Sequence, residues 1–440
     1  MSPASVRLSQ RSHQTADQPV SYFMQQAVEN PHLISLAAGL VDPVSLPGSQ
    51  IETAIHEILS KPQAAQAALQ YGTTHGYAPL RETLLKRTCA LDGVTPSDLS
   101  LSASNVVVTT GSQQFLYLIT EVLINPGDIV ITEAPSYFVY HGTLASLGAK
   151  VLSVPMDEDG MQTEALEELL ERLVHTGEID RLRMIYTIDY FQNPSSLTLS
   201  YPRRQHLMEL VRNYSREHRI FVLEDAAYRE LRYDGEDVPS IKSLDEKNEY
   251  VIKTMTFSKP CSPGLKTGYG FLPAELVGPL LRFKGNHDFG SNNLTQHLLH
   301  RLLESGAYDE HVTELCDVYR TKRDATLNGL TEVFGTDGID ASHVRWTHPE
   351  GGLYVWMTFP EGVDTGPNGP LMKAALDEGL LYVPGQFCFV QDGESRVPGN
   401  DIRLSFGVEQ PDTIREGLLR LARAISTTYP ELMVETSAGA

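Results

Sequence analysis

Cysteine is scarce in this chain. Cys89, Cys261, Cys316 and Cys388 are the only four in 440 residues. They form no CxxC pair and no zinc-type spacing, and so few thiols fit a reducing compartment. Long hydrophobic runs are missing as well: no stretch of ~18 apolar residues is free of charge, which argues against a membrane-spanning helix. The opening MSPASVRLSQRSHQTADQPV is polar, without the apolar segment of a secretory signal. It reads as an arm, and the expected compartment is the cytoplasm. A basic block is also lacking. Lys and Arg total 35 against 56 Asp and Glu, a net charge of −21, which leaves no footprint for the phosphate backbone of a nucleic acid. The 14 histidines include no HExxH pair. His297 and His300, three apart in TQHLLHRLLE, read as a helix-surface pair rather than a metal site.

What is present is an alternation. NVVVTT, DIVITEAP, KVLSVPM, RLRMIYTI, RIFVLED, YVIKTMTF and KTGYGFLP follow one another between about residues 100 and 275, mostly separated by helical or turn-rich segments. Uninterrupted apolar strands alternating with helices predict a largely parallel sheet buried on both faces. Beyond about residue 300 a long amphipathic stretch, residues 295–334, leads to GGLYVWMTF, LLYVPGQFCFV and DIRLSFGV, closed by PDTIREGLLRLARAIS. These predict a second, smaller α+β domain, with VQDGESRVPGND as its most turn-rich loop. Three parts are expected: an arm over 1–45, a large domain over 46–300 and a small domain over 301–440, which packs with part of the arm.

In parallel sheets, ligands sit outside the carboxyl ends of the strands. NVVVTT is followed by Gly111-Ser112-Gln113 at a helix start, where amides suit a phosphate; simple capping by Ser112 explains the same residues. DIVITEAP is followed by Tyr137, either a stacking partner for a flat ring or a core tyrosine. MIYTIDYFQ is followed by Asn193. RIFVLE ends on Asp225, with Tyr228 three residues later, and a carboxylate there is costly to bury unless a cation meets it. The next strand end carries Thr256, Ser258 and Lys259. Pyridoxal phosphate (PLP) needs a lysine for its aldehyde, a carboxylate for its pyridine nitrogen and donors around its phosphate. The strand ends offer each of these.

With these residues in this order, the chain resembles the fold-type I, PLP-dependent aminotransferase class I/II family. It is most similar to the branch holding 2-aminoadipate and aromatic aminotransferases and the catalytic-like domains of MocR regulators. The motifs are ISLAAGLVDP, LQYGTTHGYAPLRETL, TTGSQQ, EAPSY, YFQNPSS, LEDAAYREL, TFSKPCSPGLKTGY, PEGGLYVW and DIRLSF, spread over about residues 20 to 425. The resemblance implies an α/β fold with a mostly parallel, seven-stranded sheet in the large domain. It implies that Lys259 forms the internal aldimine, that Asp225 pairs with the pyridinium nitrogen, and that Asn193 and Tyr228 bond the ring's phenolic oxygen. Tyr137 would stack on the ring. Gly111, Ser112, Gln113, Thr256, Ser258 and Lys266 would form the phosphate site. Tyr71 would reach that phosphate from the neighbouring subunit of a homodimer. Arg403 would clamp the substrate carboxylate, with Gly39 close to the substrate. An external aldimine and a quinonoid would follow, with freed Lys259 as the base.

The motifs also depart from the family. Lys266 stands where arginine is usual, and Asn193-Pro194-Ser195-Ser196 replaces Asn-Pro-Thr-Gly, placing a side chain near the cofactor. The arm SYFMQQAVENP lacks the arginine of members acting on acidic substrates. The expected activity is transamination of a neutral, aromatic or bulky amino acid. The alternatives are β- or γ-elimination, replacement or carbon–carbon bond formation in specialised biosynthesis, for example on an S-adenosylmethionine-like substrate. A non-catalytic sensor like MocR is a further one, disfavoured by the acidic charge and by motifs that begin early in the chain.

Overall fold

The computed structural model describes residues 6–15, 19, 26, 29–30, 32–335, 344–390 and 397–432. Most of SYFMQQAVENP and residues 391–396 of the turn-rich loop lie outside the described residues. Among the described residues the strands are β1 (Ile34–Ser35), β2 (Val106–Thr109), β3 (Ile129–Ala134), β4 (Lys150–Asp157), β5 (Gly160–Met161), β6 (Leu182–Thr187) and β7 (Phe221–Asp225). There follow β8 (Val251–Thr256), β9 (Gly268–Phe271), β10 (Arg345–Trp346), β11 (Tyr354–Thr358), β12 (Leu380–Leu381), β13 (Val383–Pro384) and β14 (Asp401–Ser405).

The large sheet has the order β2-β9-β8-β7-β6-β3-β4-β5. Pairing is parallel from β8 through β7, β6 and β3 to β4, while β9 runs antiparallel to both its neighbours. Alternate residues along these strands enter different apolar clusters: Val130, Met184, Leu223 and Ile252 one, Ile129, Ile131, Ile185 and Val222 the other. A period of two feeding two cores is what a sheet covered on both faces requires. The eighth strand, β5, adds to the seven expected from the sequence. It arises because Asp157 accepts the Asp159 N–H and Gly160 takes a φ of +90°, folding the chain back on β4.

The second sheet, β10-β11-β14-β13, is antiparallel throughout. The amphipathic stretch preceding it forms two helices, Asn293–Ser305 and Ala307–Phe334, broken at Gly306 with φ +80°. The second of these packs on the closing helix Pro411–Thr428 so tightly that a Cβ at Gly329 would lie 2.6 Å from Leu418. His297 stacks on Tyr77 at 3.8 Å, and His300 meets the same ring edge-on at 5.5 Å. Both histidines are therefore in use as packing groups. Among the described residues no helix is long and apolar enough to cross a membrane.

Candidate active site

The carboxyl ends of β2, β3, β6, β7 and β8 converge on one cavity of about 230 Å3. From β2 come Thr110 and the turn Gly111-Ser112-Gln113, which opens the helix Gly111–Leu123. Gly111 has φ +73° and nothing within 4 Å of where its Cβ would sit, so the backbone here is open to a ligand and the first helical amides point outward. From β3 comes Tyr137, and from β6 come Ile188 and Asn193. β7 contributes Asp225, Ala227 and Tyr228, and β8 contributes Thr256, Ser258 and Lys259, followed by Pro263 and Lys266. Eleven of the fourteen residues expected from the sequence thus line a single space.

Two more touch that set without lining the cavity. Lys259 Nζ donates to the Gly39 carbonyl at 2.6 Å. Arg403 donates to Asn193 Oδ1 and to the Ala37 carbonyl, each at 2.8 Å. The segment after β1 and the strand β14 therefore close the cavity from the small-sheet side. Tyr71 is the exception: it is 83% exposed and lies edge-on to Phe289 at 5.7 Å, away from this cavity. Ser196 also differs from expectation. It does not line the cavity; it keeps the left-handed backbone (φ +56°) that favours glycine, and its buried hydroxyl lies toward Gly352. Lys266 is likewise left-handed, at φ +46°, where it ends the turn Pro263–Leu265.

The electrostatics favour a cationic, carbonyl-bearing ligand. Burial pushes Asp225 up to about 7, against a 3.0 Å hydrogen bond from Tyr186 to Oδ2. Its Oδ1 is buried with no hydrogen-bond partner. A protonated ring nitrogen is the partner that such an oxygen lacks, so the residues fit PLP. Burial lowers Lys259, and the nearby Arg403 and Lys266 charges add to that, favouring the free amine that attacks an aldehyde. Thr256 Oγ1 accepts from the Ser258 amide at 3.1 Å and donates to its hydroxyl at 3.0 Å, fixing the turn that carries Lys259.

The sequence reading missed the supports beneath these groups. Glu133, at the end of β3, accepts from Thr187, the Ile188 amide and Gln192, which in turn holds Pro135 and Ser195. It thereby anchors the loop carrying Asn193. Tyr354, on β11, bonds Tyr228 and lies under Arg403. Its motif, PEGGLYVW, was visible, but alternation along a strand gives only the face a residue takes, and the pairing of β11 with the arginine's strand comes from the fold.

The family model described as aminotransferase class I and II matches residues 32–421. The chain belongs to this family. Like its relatives, this aminotransferase is a PLP-dependent transferase of fold type I. It is 38% identical over 398 residues to aromatic-amino-acid aminotransferase 1 of Thermococcus litoralis, covering 90% of this chain and 89% of that one. It is 35% identical to the 2-aminoadipate transaminase of Thermus thermophilus, covering 90% and 91%. The crystal structure of Pyrococcus horikoshii kynurenine aminotransferase superposes with a TM-score of 0.85 at 35% identity, covering 96% of this aminotransferase and 97% of that chain.

Proposed function

We propose that this aminotransferase exchanges the amino group of an aromatic or otherwise bulky, uncharged amino acid, with Lys259 as anchor and base. The observation that carries the reading is the pairing of Lys259 with a half-used arginine. Arg403 is 3% exposed, two of its nitrogens are taken by Asn193 and Ala37, and its Nε is buried without a partner. A carboxylate would supply that partner in bidentate form. Phe138 and Tyr354 flank the guanidinium at 5.6 and 4.3 Å, and with Tyr137 they give the substrate end an aromatic wall suited to a bulky side chain. The aromatic specificity of the Thermococcus relative agrees with that wall.

Bound PLP supplies an electron sink for the bonds at the substrate α-carbon. Asp225 keeps its ring nitrogen charged, Asn193 and Tyr228 hold its ring oxygen, and Tyr137 covers its face. Gly111, Ser112, Gln113, Thr256, Ser258 and Lys266 hold the phosphate. Arg403 fixes the substrate carboxylate, Gly39 lies close to the substrate, and the Lys259 amine carries the α-proton. The large domain spans 46–300 and the small domain 301–440, and part of the arm over 1–45 packs with the small domain. The four cysteines are free, in keeping with a cytoplasmic protein. A second copy of the chain completes the phosphate site with Tyr71.

Lys259→Ala removes the anchor and the base together. The visible absorption band of the lysine-bound cofactor should vanish, and keto-acid release from phenylalanine or tyrosine should fall by roughly 10²–10⁴-fold or more. A visible band that persists in the variant would overturn the assignment. Wild-type protein that consumes these amino acids without releasing a keto acid would overturn transamination.

A further inference from the structure

The aromatic wall holds one hydroxyl that the proposed reaction does not use. Tyr354 is 1% exposed, on β11. Arg403 lies on the neighbouring β14, where Tyr354 pairs with Ser405 and Trp356 with Arg403. Tyr354 and Arg403 are therefore diagonal neighbours on one face of the small sheet, within reach of long side chains. The Arg403 guanidinium carbon stands 4.3 Å over the Tyr354 ring. At its other end the Tyr354 hydroxyl is 3.1 Å from the Tyr228 hydroxyl, with the two rings edge-to-face at 5.9 Å. That hydroxyl also fills the space beside Gly39, where a Cβ would come within 2.7 Å of it. Gly39 is the residue whose carbonyl holds Lys259. One side chain thus meets the carboxylate-binding arginine, the cofactor-binding tyrosine and the turn that holds the lysine.

We propose that Tyr354 is a positioning residue that couples the carboxylate site at Arg403 to Tyr228, its ring carrying the guanidinium and its hydroxyl donating to the Tyr228 oxygen. The inference rests on the functional reading given above. The donor direction has a physical cause. Burial acts to raise both phenols, but the Arg403 charge over its ring, joined by Lys259 when that amine is protonated, outweighs it at Tyr354 and holds that phenol below its ordinary value, while Tyr228 stays well above. The more acidic phenol donates and the less acidic one accepts. A Tyr228 that accepts this bond keeps its own proton free and becomes a stronger donor toward the cofactor's ring oxygen. A carboxylate arriving at Arg403 draws on the same charge, so its binding is felt at Tyr228 through Tyr354.

Tyr354→Phe keeps the ring and removes the hydroxyl, and Tyr354→Leu removes both. The first readout is the pH at which the visible band of the lysine-bound cofactor titrates. A weaker donor at the ring oxygen should raise that midpoint in Tyr354→Phe, by about half a unit or more for the loss of one net hydrogen bond. In a Tyr228→Phe background the same change should add nothing, because the effect passes through Tyr228. The second readout is the Kd of 3-phenylpropionate, an unreactive carboxylate, for the cofactor-free protein. It should stay within about threefold in Tyr354→Phe and weaken by about fivefold or more in Tyr354→Leu, which loses the cation–π contact. An unchanged midpoint in Tyr354→Phe, an equal shift in the Tyr228→Phe background, or wild-type affinity in Tyr354→Leu each overturns the coupling. A wild-type protein with no Lys259-dependent band instead overturns the functional reading beneath it.

Discussion

Glu133 is a carboxyl group fully enclosed by protein, and burial pushes it up to about 7 despite its three hydrogen-bond donors. Two of these, the Ile188 amide and Gln192 Nε2, converge on Oε2, while Oε1 meets only the Thr187 hydroxyl, which can donate or accept. When Glu133 takes up a proton it is therefore Oε1 that carries it, and the Thr187 hydroxyl turns from donor to acceptor. A glutamine can reproduce this arrangement, with its amide nitrogen toward Thr187. The pH dependence follows from the sign of the shift. A carboxyl raised in the folded state stabilises the fold fully below its ordinary value of 4.5, and that contribution is lost as pH rises through about 7. Cofactor-free Glu133→Gln should therefore gain stability over wild type between pH 5 and pH 8, by at most on the order of 3 kcal/mol. Denaturant unfolding at the two pH values measures it, and parallel curves would refute the assignment. Asp401, raised to about 6, slopes the same way in both proteins and cancels in the difference. Asp225, whose charge helps to raise Glu133, titrates together with it, and the difference reads that interaction too. The contrast with Lys259 and Asp225 explains what could be read in advance. Those two stand at strand ends with unusual chemistry for their place, so position alone marked them. Glu133 stands at a strand end too, but its role lies in a loop that folds back from β6, and one-dimensional spacing does not carry that contact.

At the scale of elements, the strand β9 shows how a glycine can serve a site on one side and the core on the other. It is the single reversed strand among the seven long ones, squeezed between β2 and β8. A Cβ at Gly270 would fall 2.2 Å from the Phe115 ring, and one at Gly268 would fall 2.4 Å from the Ser112 amide nitrogen. The two substitutions should therefore fail differently. Gly270→Ala overpacks the helix Gly111–Leu123 against the sheet and should cost about 1–3 kcal/mol of stability, with cofactor affinity nearly kept. Gly268→Ala presses on the turn proposed to hold the phosphate, and should weaken PLP binding by about tenfold or more, a 1.4 kcal/mol effect, with the smaller loss of thermal stability. Cofactor titration and melting of both variants separate the two, and an identical pattern would count against the proposed phosphate site. The strands themselves were legible because each is a short apolar run at a turn boundary. The extra strand β5 and the break at Gly306 were not, since each depends on a single glycine adopting a positive φ. Ser196 and Lys266 adopt the same region without being glycine, and no residue-type rule marks such a position in advance.

The whole molecule leaves one residue of the proposed site stranded. Tyr71, 83% exposed, sits with Leu69 at 65% and Phe289 at 59% around a surface cavity formed by residues 68–72 and 289–294. Val44, at 80%, and Leu46, at 42%, are exposed on the segment that follows Gly39. Apolar groups clustered like this mark an interaction surface, and a symmetric pairing of two copies would let each Tyr71 serve the other copy's phosphate site. Charge opposes that pairing: two chains at −21 bring 2 × −21 = −42 into one particle. The association should then tighten as salt rises from about 0.01 M to 0.15 M, because screening shortens the repulsion from roughly 30 Å to 8 Å while apolar burial is untouched. Phe289→Glu adds a charge to the apolar surface itself and should give a monomer by light scattering, with weakened PLP binding. Tyr71→Phe should leave the dimer intact but weaken PLP binding by about tenfold, the loss of one hydrogen bond to a charged group. The order of these two results is the test. If Phe289→Glu becomes monomeric yet binds the cofactor as wild type does, the site is complete within one chain and Tyr71 plays no part in it. If both variants lose affinity while only Phe289→Glu loses the dimer, the second copy supplies the hydroxyl that this chain holds 83% exposed, away from its own cavity.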